Sequence, residues 1–244
     1  RVWGTRYVAE ITVTSATGES RQGEMVVSVQ GVGVKFNCNI PNKVCRDVAL
    51  PYSVGVVNGS GVVQQLPYSL SLYSTVCDEV GGECYVRSRD AIWQSEGVGS
   101  NDRLMLPYKS MASGTYRLFM STRTTGGELI TDSVDFVCYS HSDVRPPVAT
   151  ELWLPIDRYE AEDGDTVCIA VGSALQNASL YYFISDGERR IEYDCLHLDN
   201  SMTTIRLPYN AACDDVVQVM FVLVHNKPPQ HHYESITLSS IYLV

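Results

Sequence analysis

Apolar and polar residues alternate with a period of two along most of this chain. Val32, Val34, Phe36, Cys38 and Ile40 are separated by Gly33, Lys35, Asn37 and Asn39. Tyr116, Leu118 and Met120 alternate in the same way, and so do Val134, Phe136 and Cys138 on a returning segment. Successive side chains of a strand point to opposite faces, so this pattern predicts strands with one buried face each. Gly126-Gly127 lies between the last two segments, where a turn with positive φ costs little, so residues 113–138 predict a β-hairpin. No stretch of a dozen residues keeps a 3.6 period, and no helix is expected.

The hairpin is written more than once. Moving back 109 positions carries Tyr116 onto Tyr7, Gly127 onto Gly18 and Glu128 onto Glu19. Moving forward 101 positions carries Tyr116, Leu118, Met120 and Thr122 onto Val217, Val219, Phe221 and Leu223. The same shift takes Leu106-Pro107-Tyr108 onto Leu207-Pro208-Tyr209. A period of about 100 residues exceeds solenoid units, so each copy is expected to be a whole domain.

Residues 1–30 then read as the closing hairpin of a preceding module whose beginning is missing. A lone hairpin is marginal in water, so it is expected to pack against the next domain or another copy of the chain, with the stripe of Tyr7, Ile11 and Val13 covered. Residues 31–140 form a full module. Its strands are expected at 32–40, 48–57, 68–76 and 84–93, with a fifth ending at Leu106, Ser95–Asn101 as loop, and the hairpin as strands six and seven. Residues 147–244 repeat the order. Strands are expected at 152–154, 166–171, 179–185, 190–195, 202–207, 215–224 and 232–243, with Asp186-Gly187 as a tight turn. Seven short strands with regular turn signals predict an all-β chain of tandem immunoglobulin-like or fibronectin-III-like sandwiches.

The segment Ser140–Ala149 contains Arg145-Pro146-Pro147 and reads as an extended, stiff linker with few contacts across it. Trp153 lies between Leu152 and Leu154, so it is expected to point outward. Exposure of Trp93, Trp153, Tyr181 and Tyr182 would favour a sugar-binding platform.

Composition narrows the function classes. The 244 residues are 45% hydrophobic and 19% charged, with net charge -10 from 18 Lys+Arg against 28 Asp+Glu. There is no basic footprint for nucleic acid or an anionic membrane surface. No apolar run approaches a membrane span, so no direct membrane insertion is expected. The chain opens on Arg1-Val2-Trp3 within a strand-like pattern and without a leader, as though something had preceded it.

Eight cysteines are present, Cys38, Cys45, Cys77, Cys84, Cys138, Cys168, Cys195 and Cys213, five in one module and three in the other. Odd counts predict a free thiol in each module unless a bridge spans them. Cys77 and Cys84 flank a short loop and are candidates for a disulfide across a hairpin. No spacing resembles a zinc site, and no histidine stands near these cysteines in a ligand pattern. His225, His231 and His232 surround the turn 226–230, while His141 and His197 stand apart. Glu160, Glu162, Asp163 and Asp165 share a loop without the alternation of a calcium loop. Gly31-Val-Gly33 and Gly97-Val-Gly99 open no helix and are not phosphate cradles. Cys45 beside Arg46 and Cys213 beside Asp214 are weak candidates for a reactive thiol. The expectation is therefore no catalytic residue, no cofactor and no metal site, in a chain that is not an enzyme.

Several segments resemble one family. Tyr7 to Ser20, with Ile11, Val13, Gly18 and Glu19 in place, is similar to the closing hairpin of a macroglobulin domain. So are Ser113-Gly-Thr-Tyr-Arg-Leu118, Val137-Cys-Tyr-Ser140 with the following Arg145-Pro-Pro147, and Leu152-Trp-Leu154. Gly164-Asp-Thr-Val-Cys-Ile-Ala-Val-Gly-Ser173 followed by Tyr181-Tyr-Phe-Ile184 carries the likeness furthest. Together they resemble middle macroglobulin domains of bacterial alpha-2-macroglobulin-like proteins. That resemblance implies scaffold from a protease trap, periplasmic or cell-envelope-associated. Its partners would be neighbouring macroglobulin domains and, through the whole protein, target proteases. It lends no reactive residue. Gly81-Gly-Glu-Cys84 is not the Cys-Gly-Glu-Gln type of thioester segment, and no bait segment is recognisable. The rival reading is a cell-envelope adhesin or carbohydrate-binding sandwich.

Overall fold

The computed structural model describes residues 5–29, 33–77, 84–155, 158–162, 164–185, 190–209, 217–226 and 234–243. The turns expected at Asp186-Gly187 and around Pro228-Pro229 lie outside these residues, as do Asp163, Cys213, Asp214, His231 and His232. Among the described residues the regular structure is strands, apart from a single 3-10 turn at Tyr108–Ser110, and no helix is long and apolar enough to cross a membrane.

The chain opens with a hairpin of β1 (Thr5–Thr14) and β2 (Ser20–Val29), a two-stranded sheet of its own. The first sandwich follows in order as β3 (Val34–Cys38), β4 (Lys43–Cys45), β5 (Tyr52–Asn58), β6 (Pro67–Cys77), β7 (Cys84–Val86), β8 (Trp93–Val98), β9 (Ser100–Leu104), β10 (Gly114–Arg123) and β11 (Leu129–Tyr139). One sheet has the order β3-β5-β9. The other runs β4-β11-β10-β6-β7, with β8 also pairing β6. Phe36, Val54 and Val56 from the first sheet meet Leu70, Leu72, Leu118 and Met120 from the second. Each such burial contributes about 1.5–3 kcal/mol of transfer free energy.

The second sandwich comprises β12 (Arg158–Tyr159), β13 (Thr166–Ser173), β14 (Ala178–Ser185), β15 (Arg190–Leu198), β16 (Ser201–Pro208), β17 (Val217–Asn226) and β18 (Glu234–Leu243). Its sheets are β12-β18-β17-β14-β15 and β13-β16, and an isolated bridge joins Trp153 to Gly172 on β13. The plan of the first sandwich recurs. A short strand runs parallel to the last strand (β4 on β11, β12 on β18), and the bridge at Trp153 takes the edge that β3 occupies.

The internal offsets are visible in atomic detail. Tyr116, Leu118, Met120 and Thr122 are all buried, and so are Val217, Val219, Phe221 and Leu223, 101 positions later. At the 109-residue offset the turn chemistry repeats. Ser15 N–H donates to Glu19 O and Gly18 N–H to Ser15 O; Thr124 N–H donates to Glu128 O and Gly127 N–H to Thr124 O. Gly18 and Gly127 take φ of 88° and 84°, a region where a Cβ is strained.

One expectation is corrected here. Ser95–Asn101 is not loop: it belongs to β8 and β9, which lie in different sheets. Gly99, at φ 73°, turns the chain from one sheet to the other. Gly97 lies against the Tyr68 ring, with which any side chain there would collide. On the first hairpin the expected stripe is open to solvent, within this one chain, at the two positions described. Ile11 is 53% and Val13 64% exposed, and Val8 and Met25 are exposed too. The side chain of Tyr7 lies outside the described set.

Cys77 and Cys84 stand opposite one another on β6 and β7 and form a disulfide. Free thiols occur in both sandwiches, Cys38, Cys45 and Cys138 in the first and Cys168 and Cys195 in the second. The disulfide closes a short loop, so reducing it is expected to remove about 2–3 kcal/mol from the first sandwich. Denaturant unfolding with and without dithiothreitol measures this. An unchanged midpoint in the wild type would contradict it.

Candidate functional site

The described residues that gather chemistry lie where the two sandwiches meet. β4 runs parallel to the end of β11, pairing Val137 with Lys43, Cys138 with Val44 and Tyr139 with Cys45. Two residues beyond that last pair stand Asp47 and His141. Continuing the register side by side brings them together. The Asp47 carboxylate accepts the His141 backbone N–H at 2.7 Å and the Ser140 hydroxyl at 2.8 and 3.0 Å. Ser140 is buried, and its own N–H is held by Asp143 at 2.8 Å. Arg46 pairs with Asp143 at 3.6 Å, and Ser113 donates to the same carboxylate at 2.8 Å.

This network sets the protonation states. Burial pushes the Asp47 carboxyl up. The bonds from His141 N–H and Ser140, with the charges of His141 and Arg46, outweigh it and hold Asp47 below the usual carboxylate range. Burial pushes the Cys45 thiol up, opposed in part by backbone N–H groups of the Asp47 turn. Burial raises Cys138 to about 11. Both thiols therefore rest protonated near neutrality, and Arg46 does not make Cys45 a nucleophile on its own.

Beside this network the joint is apolar. Tyr139, Trp153, Ala170 and Met202 form a third buried cluster, with Cys45, Val137 and Val148 against it. The Trp153 indole meets the Tyr139 ring edge-on at 5.8 Å, and the Lys43 ammonium lies 5.1 Å above the Trp153 ring while donating to Leu154 O. Trp153 N–H donates to Gly172 O at 2.7 Å, and Gly172 N–H returns to Trp153 O at 3.1 Å. A Cβ at Gly172 would sit 2.8 Å from Ser201 O and 3.0 Å from Met202 Cα, so glycine is needed for the close approach of β16. Met202 N–H also bonds Val144 O in the linker.

The linker is therefore not free of contacts across it, and Trp153 does not face solvent: it is 2% exposed. The alternation rightly sets Trp153 opposite Leu152 and Leu154. The face it occupies abuts the neighbouring sandwich. Trp93 packs, half-buried, on the first core, Tyr182 is buried and Tyr181 is exposed, so these four build no shared platform. His197 is exposed and His225 half-buried, each on its own strand. In the acidic loop Glu162 N–H bonds the Asp165 carboxylate at 2.9 Å, an ordinary capped turn.

Cys45, Asp47 and His141 have ligand atoms all within 4.8 Å of one another. The expectation that no histidine stands near these cysteines is corrected by the parallel β4–β11 pairing, which leaves no local spacing signal. Elsewhere, an open cleft of about 440 Å³ on the first sandwich is lined by Tyr73, Arg87, Arg89 and Phe119 among others. Tyr73 and Phe119 meet edge-on at 5.5 Å.

No protein-family model matches this chain, and no curated protein does so either. Solved structures give distant likenesses of low overall superposition. A tetra-tandem repeat from the extending region of a large adhesion protein is 10% identical at TM-score 0.29, covering 98% of this chain and 56% of that one. The native conformation of Escherichia coli alpha-2-macroglobulin is 8% identical at TM-score 0.27, covering 97% and 19%. Salmonella alpha-2-macroglobulin reacted with methylamine is 12% identical at TM-score 0.28, covering 97% and 18%. The chain thus spans about half of the adhesion-protein repeat and about a fifth of the macroglobulins.

Proposed function

We propose that this chain is a non-catalytic structural segment of a bacterial alpha-2-macroglobulin-like protease trap. Its sandwiches serve as scaffold, and the joint between them sets their relative angle. The observation that supports this most is the sealed joint. Trp153, Tyr139 and Met202 are buried between the sandwiches, and Lys43 of one bonds Leu154 beside the other. A trap that encloses a protease needs stiff modules and a limited number of movable joints. Repetition of the closing hairpin, down to its turn hydrogen bonds, suits a serial array. In this reading the partners are neighbouring macroglobulin domains and, through the whole protein, proteases, and the parent protein resides in the periplasm or at the cell envelope.

The aromatic and cationic cleft at Tyr73, Phe119, Arg87 and Arg89 favours the second reading, an adhesin or carbohydrate-binding module. Incubating the full-length parent protein with a broad-specificity protease separates the two. Trapping is expected to protect a large protein substrate while leaving a small peptide substrate cleavable. A protease fully active on both overturns the trap reading, and retention of the protein on glycans, lost in F119A, would replace it with the second.

A further inference from the structure

We propose that Cys45, Asp47 and His141 form a binding site for a thiophilic divalent cation, zinc above all, which clamps the start of the linker to the β4–β5 turn. The three ligand atoms lie within 4.8 Å of one another, and Cys45 Sγ is already 3.8 Å from Asp47 Oδ2. A tetrahedral ion with ligand bonds of roughly 2.0–2.3 Å places its donors about 3.3–3.8 Å apart, so the set has only about 1 Å to close. A second, independent observation points the same way: His141 Nδ1 is buried with no hydrogen-bond partner. An orphaned ring nitrogen is a cost that a bound cation removes.

The surroundings resemble the support that metal ligands receive. Ser140 and the His141 backbone N–H orient the Asp47 carboxylate, and the Tyr139 ring meets the His141 ring edge-on at 5.9 Å. Thiolate, imidazole and carboxylate together suit zinc and exclude the all-oxygen preference of calcium and magnesium. Cys45 thiolate and Asp47 carboxylate would balance the two positive charges; the thiol proton, and the ring proton of any His141 in its charged form, leave to solvent on binding. Arg46 lies close by, but its charge is engaged by Asp143. Three protein ligands leave the fourth position to water.

The chain, stripped with chelator under anaerobic conditions that leave the Cys77–Cys84 disulfide intact, is titrated with zinc by calorimetry and with cobalt(II) by absorption. One equivalent is expected to bind. Cobalt should give a thiolate charge-transfer band and intense visible bands of tetrahedral geometry, and saturating zinc should raise the melting midpoint by roughly 5 °C. C45S and H141Q are each expected to weaken binding by at least about 100-fold and to abolish or alter the cobalt spectrum, while C168S leaves both unchanged. Circular dichroism on the same samples reports folding, and a C45S chain that folds keeps the comparison valid. No saturable binding by the wild type overturns the proposal, as does binding that survives C45S and H141Q. Neither result bears on the protease assay, so this site and the trap reading fail separately.

Discussion

Replacing Trp153 with alanine is expected to loosen the joint while leaving both sandwiches folded. The indole is 2% exposed and fills the space between Tyr139, Ala170 and Met202 under the Lys43 ammonium. Removing a buried indole of this kind costs about 3–5 kcal/mol through lost transfer free energy and the cavity left behind. Here that loss falls mainly on the interface, because the cores gathered around Leu118 and Phe221 do not include Trp153. Spin labels placed one on each sandwich should give a narrow distance distribution in the wild type and a broad one in W153A, with strand content unchanged. Trp153 Nε1–H is buried without a hydrogen-bond partner, so the residue acts by size and ring, not by its donor. W153F should therefore retain most of the narrow distribution. Equal breadth in wild type and W153A would show that the angle is set elsewhere.

Phe221→Ala is the matching probe of a core. Phe221 is 0% exposed, stands opposite Tyr182 on the neighbouring strand and contacts that ring at 6.4 Å. About 3–5 kcal/mol is expected to be lost from the second sandwich. The first sandwich should keep its own unfolding transition, since its core is a separate cluster built around Leu70, Leu72, Leu118 and Met120. Calorimetry resolves this as one transition moving down while the other stays. Met120→Ala, the position 101 residues earlier, should do the reverse and cost about 2–5 kcal/mol. A single transition that shifts as a whole in both variants would mean the two sandwiches unfold as one unit.

Much of this architecture was legible from local pattern. The alternation at Val34 and Phe36 and at Tyr116, Leu118 and Met120 marks faces that are buried. Gly18 and Gly127 mark turns that form with the same hydrogen bonds, and the shift of 101 predicts which residues of β17 face the core. Spacing alone leaves the pairing of Cys77 with Cys84 undecided, since only strand register brings the two sulfurs together. The β8–β9 corner leaves no such trace, because polar residues and glycines break the alternation and Gly99 redirects the chain between sheets.

What the sequence by itself determined is the list of faces: which side chains share one side of a strand, where hairpins turn, and that the plan recurs. Those properties follow from the two-residue period and from glycine backbone freedom, both local. Only the tertiary structure decided what each face meets. Trp153 faces a neighbouring sandwich instead of water, Ile11 and Val13 stay exposed, and His141 comes to stand beside Cys45. The last arises from a parallel pairing between residues nearly a hundred positions apart. Such a pairing carries no periodic trace in the chain, because its register is fixed by sheets packing together and not by neighbours in sequence.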